Sequence, residues 1–94
     1  MKIRIQLQLM NHQIDETAEG QDAAALLHFA KQETARRAPF LVRGIINGMS
    51  DMGFAGEAVK RSNQASGRHD PPPQSPQDFI DWAVNRGIVT ILEP

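Results

Sequence analysis

The two ends of this chain read as β-strand and nearly everything between them reads as helix, a division that constrains the fold more than any other feature. Near the N-terminus Ile3, Ile5, Leu7 and Leu9 alternate with Lys2, Arg4, Gln6 and Gln8. A period of two is the mark of a strand with one buried face. At the other end Ile88-Val89-Thr90-Ile91-Leu92 is a short apolar run rich in β-branched residues, stopped by Pro94,. Asn11-His12 breaks the first strand, and the polar stretch from Asp15 to Gln21, with Gly20, reads as a loop,.

Helix signals punctuate the interior. Asp22 offers an N-cap, and Ala23, Leu26, Leu27, Ala30, Thr34 and Ala38 recur at spacings of three and four,. Pro39 disfavours helical geometry in the residue before it, so this helix should end near Ala38,. Ser50 or Asp51 caps a further helix over about 52–64, with Phe54, Ala55, Ala58 and Val59 inward and a Glu57–Arg61 pair outward,. Gly67 is a plausible terminator, and Pro71 to Pro73 favour extended geometry in the loop that follows,. Ser75, Pro76 and Asp78 then make a capping-box-like start,. Phe79, Ile80, Trp82, Ala83 and Val84 supply the buried side of that helix, Arg86 complements its C-terminus and Gly87 ends it,.

Residues 40–49, FLVRGIINGM, admit two readings. As a helix, Leu41, Ile45 and Met49 line up with Val42 and Ile46, and Gly44 and Gly48 mark a close helix–helix approach. As a hairpin, Asn47-Gly48 is the turn, but its second arm over 49–53 is a poor strand. Helix is the favoured reading.

The expected architecture is therefore α+β and a single domain over 1–94. N- and C-terminal strands pair in one small sheet, with three to four intervening helices packed on its face. A two-stranded ribbon is marginally stable and leaves two open edges. A homodimer joining two ribbons into a four-stranded sheet would relieve both.

Composition narrows the function classes. With 94 residues, 40% of them hydrophobic, this is a globular chain of one-domain size,. It has no cysteine, which excludes a disulfide scaffold, thiol catalysis and Cys-based metal sites, and suits a cytoplasmic location,. No apolar run approaches the ~20 residues of a membrane span, and the alternating N-terminus lacks the apolar stretch of a signal peptide. The formal net charge of -1 hides an uneven distribution. Residues 31–68 carry seven cations against three carboxylates, while both flanking segments are acidic. Either the segments neutralise each other in space, or the basic third faces an anion.

No constellation points to catalysis. His12, His28 and His69 share no ligand spacing, and no Gly-x-Ser-x-Gly elbow surrounds Ser50, Ser62, Ser66 or Ser75,. The glycines 44, 48, 53 and 56 lack the Gly-Lys-Ser/Thr of a phosphate loop, and Asp78 and Asp81 are explained by the helix start beside them,. No enzyme activity, metal or cofactor is expected. The favoured function is a non-catalytic protein-interaction or regulatory module, self-associating and binding a further protein. Its expected contacts are Ile3, Ile5 and Leu7 on an open strand edge, with Met49, Met52 and Phe54 as an adaptable second surface,. The alternative is a helix-turn-helix-like DNA binder over 40–64, reading duplex through Lys60, Arg61, Asn63 and Gln64, with Arg68 extending the patch,. Glu57, early in that reading helix, would repel phosphate.

Overall fold

In the computed structural model, which describes residues 1–9 and 12–94 (the backbone alone for 7–9, 12 and 14), the strands β1 (Lys2–Leu9), β2 (His12–Glu19) and β3 (Val89–Glu93) form an antiparallel sheet of order β2-β1-β3. The terminal strands pair as expected, with Ile3 opposite Ile91 and Ile5 opposite Val89. Ile3, Ala18 and Val89 are buried beneath the helices, and Ile5 packs against them. The opposite face exposes Arg4, Thr17 and Thr90, which lie side by side, together with Gln6 and Asp15. Arg4 holds Asp15 through two hydrogen bonds of 2.9 and 2.7 Å.

Strand β2 corrects the sequence reading, which makes 15–21 a loop. It pairs with β1 along its full length, from Lys2 opposite Glu19 to Leu9 opposite His12. Among its described side chains Ala18 is the one buried apolar residue, beside Ile3. Glu16, opposite Ile5 on the same side, is paired with Arg37 rather than with an apolar neighbour. The strand is thus sustained by backbone pairing and two ion pairs, Asp15 with Arg4 on one face and Glu16 with Arg37 on the other, with little of the apolar alternation that announces a strand,. A second correction follows. Strand β1 is paired on both sides over Lys2–Ile5, so at Ile3 and Ile5 it is no edge, whereas over Leu7–Leu9 it pairs with β2 alone; the two-stranded ribbon that called for a dimeric sheet is replaced by three strands.

Four helices connect β2 to β3: α1 (Ala23–Arg37), α2 (Phe40–Asn47), α3 (Asp51–Ser66) and α4 (Pro76–Asn85). Three start on the caps read from sequence. Asp22 accepts from the Ala25 amide, Ser50 from Gly53 and Ser75 from Asp78. Helix α1 stops at Arg37, where Ala38 turns extended ahead of Pro39. The 40–49 segment is helical over Phe40–Asn47. Gly67 and Gly87 close α3 and α4 at φ of 70° and 76°, a left-handed geometry that glycine adopts without steric cost,. After Gly87 the chain returns through Ile88, whose amide bonds Ala83, and enters β3. Helix α1 is the hub, contacting α2, α3 and α4 as well as β2. Leu26, Leu27, Val59 and Ile80 fill the space between helices and sheet. Phe79 stacks on Trp82 and tilts against Phe54, with ring centroids 5.7 and 6.4 Å apart.

Candidate functional site

Helix α2 carries the sequence FLVRGIIN, and one contact with α1 cannot cover so much apolar surface. On a helix of 3.6 residues per turn only one stripe faces inward. Ile46 takes that place and is buried, with Met49 half-buried just beyond. Phe40 is 82% exposed, Leu41 79%, Ile45 63% and Val42 43%. Together they offer roughly 450 Å² of apolar surface, a patch of the size that is often functional in soluble proteins. The sequence reading made Leu41 and Ile45 part of a single apolar stripe with Ile46; the structure separates them.

Two features shape this face. A Cβ added to Gly44 would meet nothing within 4 Å, so that position opens to solvent. Phe40, Leu41, Arg43, Gly44 and Asn47 line a shallow hollow of about 330 Å³ there. Arg43, the one charged residue of the helix, is folded back onto α1. Its Nε donates to the Ala35 carbonyl at 3.1 Å, and its Nη2 to those of Arg36 and Ala38 at 3.2 and 3.4 Å. These are carbonyls at and just past the end of α1, where a cation is favoured. The outward face of α2 therefore presents hydrocarbon at Phe40, Leu41 and Ile45, with the exposed Arg43 at its rim drawn toward α1.

The expected contact residues lie elsewhere. Ile3 is buried in the core, Ile5 is half-buried against it, and the side chain of Leu7 lies outside the described residues. Phe54 is buried, and Met49 and Met52 are half-buried against the same core. None of the five whose side chains are described is freely exposed. Phe40, Leu41 and Ile45 were not singled out as contacts, although an apolar run through every side of an eight-residue helix was the available signal.

The five residues of the DNA-binding alternative lie on or just after α3. Arg61 is held by Glu57 at 3.4 Å and Arg68 by Asp70 at 3.4 Å. Asn63 bonds the Asp70 backbone in both directions, at 2.9 and 3.1 Å, and so anchors the following loop. Lys60 has no carboxylate partner among the described residues. With Gln64 it lines an open groove of about 810 Å³ that runs from Met52 to Pro72. Helix α2 leans on α1, and α3 on α1 and α4, so α2 and α3 are not packed as a helix-turn-helix pair,.

One titratable cluster joins α1 to α3. Asp51 accepts from His28 Nδ1 at 3.1 Å and pairs with Lys31 at 3.2 Å, while Lys31 also donates to the Met49 carbonyl at 2.7 Å. The His28 contact, with Lys31 beside it, holds the Asp51 carboxyl below its ordinary value,. His28 and Asp51 are both partly solvent-exposed, and the cluster ties helices together. His69 is exposed on the loop after α3, and the His12 side chain lies outside the described residues. Among the described residues no group of three or more His, Asp or Glu is placed to hold a metal ion, and no helix is long and apolar enough to cross a membrane. No protein-family model, no curated protein and no solved structure matches this chain.

Proposed function

We propose that this chain is a small non-catalytic protein-interaction module that docks through α2. The observation carrying this reading is the exposure of Phe40, Leu41 and Ile45 on a helix whose single charge, Arg43, is engaged by the carbonyls of α1. At about 25 cal/mol per Å², covering roughly 450 Å² contributes on the order of 10 kcal/mol before the costs of association are met. A contact of that size supports a specific, reversible complex. The exposed helix suits the mode in which an apolar helix face meets a complementary surface. A cytoplasmic setting fits a chain without cysteine,.

The test places a photo-crosslinking amino acid at Leu41 and irradiates the full chain in extract of its source cells. Discrete adducts should form at Leu41, disappear with Ile45→Asp, and be absent when the probe stands at Ser66. Adducts that are missing, or indifferent to Ile45→Asp, overturn the reading. A labelled duplex titrated at about 50 and 200 mM salt checks the DNA-binding alternative, because phosphate contacts weaken steeply over that range. Binding that collapses at the higher salt and is lost in Lys60→Ala and Arg61→Ala would give α3 precedence over α2.

A further inference from the structure

We infer that the partner of this face is a second copy of the chain, docked α2 against α2 about a two-fold axis passing near Gly44. The inference rests on the reading of α2 as the docking face and adds its occupant.

Shape is the first argument. A two-fold interface needs a surface complementary to itself, with projections and hollow on the same patch. Gly44 and Gly48 fall on the side of α2 opposite the buried Ile46, with Phe40 to one side and Leu41 and Ile45 to the other,. The hollow over Gly44 and the knobs beside it therefore belong to one helix. Rotation about the axis sets Leu41 and Ile45 of each copy over the glycine hollow of the other. The missing side chains let the two helix axes approach at or inside the usual ~8–10 Å.

Charge and area agree. Arg43 is the one charge at this face; it stands exposed at the rim of the hollow, but its guanidinium is drawn onto the α1 carbonyls on the Phe40 side, which leaves Leu41 and Ile45, across the glycines, clear to meet a like copy,. The large apolar side chains supply roughly 450 Å² per copy, and Pro39, Gly44, Asn47 and Gly48 around them carry each side toward the about 800 Å² of a standard interface. An interface near the lower limit predicts a dimer that forms in the micromolar range.

Sedimentation of the purified full chain from about 2 to 200 µM tests this. The expected mass rises from monomer toward dimer across the range. Ile45→Asp, a substitution at an exposed position, should leave circular dichroism unchanged and raise the dissociation constant at least about thirtyfold, because every dimer carries the buried charge twice. Leu92→Asp on the open edge of β3 should leave association as in the wild type. The chain has no cysteine of its own, so Gly44→Cys gives one thiol per copy, which should oxidise to a covalent dimer while Ser66→Cys does not,. A monomer at every concentration, or a dimer lost through Leu92→Asp but not Ile45→Asp, overturns the inference. A monomeric pure protein that still forms Leu41 adducts in extract keeps the module and replaces the second copy with another protein; failure of both experiments removes the two together.

Discussion

Asp70 shows how much one half-buried carboxylate organises in a chain this small. Its Oδ2 accepts from the Trp82 indole at 3.0 Å and pairs with Arg68, while its backbone is held by Asn63. The indole hydrogen bond, with Arg68 beside it, keeps this carboxyl below its ordinary value,. Asp15 beside Arg4 and Asp51 beside His28 shift the same way. A depressed carboxyl stabilises the fold above the unfolded value of about 3.9 and loses that contribution as pH falls through the folded value. Acid should therefore loosen the loop after α3, and Trp82, the single tryptophan, reports it. An emission change below about pH 4 is expected in the wild type and should be absent in Asp70→Asn, which keeps an acceptor but does not titrate; the same step in both would refute the linkage. Arg43 poses a complementary case. Its fork on the carbonyls at the end of α1 predicts that Arg43→Met costs about 1 kcal/mol in urea unfolding. Arg36→Met, which removes only the exposed pair with Glu33, should cost under about 0.5 kcal/mol,.

Elements were legible where a single residue type states its job. Ser50, Ser75 and Asp22 announced helix starts, Pro39 a stop, and Gly67 and Gly87 two ends, because each feature is local and chemical. The turn at Gly87 is a Schellman motif, with the Ile88 amide on Ala83 and the Gly87 amide on Val84, and it aims the chain into β3,. Gly87→Ala should accordingly lower stability by about 1–2 kcal/mol. Gly44→Ala, in a helix interior with open space at Cβ, should raise it by up to about 1 kcal/mol when measured dilute enough to be monomeric,. A stabilising Gly87→Ala, or a Gly44→Ala that destabilises the dilute protein, in chemical denaturation would contradict the assigned backbones. Strand β2 escaped the sequence reading because Glu16 occupies a core-side position that only Arg37, twenty-one residues away, makes tolerable. The α2 face escaped it for a different reason. Periodicity says which apolar residues share a side, but Leu41, Ile45 and Ile46 are spread over about 140° of an eight-residue helix, and periodicity does not say which part of that arc the core takes,.

At the scale of the whole molecule, the uneven charge of the sequence is resolved by folding. Acidic β2 meets basic α1 through Glu16 and Arg37, Lys31 meets Asp51, and Arg61 and Arg68 find Glu57 and Asp70. Among the described residues the most exposed large apolar side chains lie on α2, with Ile91 and Leu92 of β3 and Val84 of α4 less so. The Cα radius of gyration is 12.6 Å, that of a close-packed chain of this length, so no described segment is free to fold back over Phe40 and Leu41,. If a second copy covers this face, folding and association are linked. Mass action then makes the thermal midpoint depend on protein concentration. For a domain of this size 1 kcal/mol moves the midpoint by about 4–8 °C, so raising the concentration from about 5 to 200 µM should raise it by roughly 3–6 °C. Ile45→Asp should abolish that dependence while keeping the dilute-limit midpoint within about 2 °C of wild type, since the residue contributes little to the core of one copy. A midpoint that is flat with concentration in the wild type would mean that this face stays open to water in the pure protein.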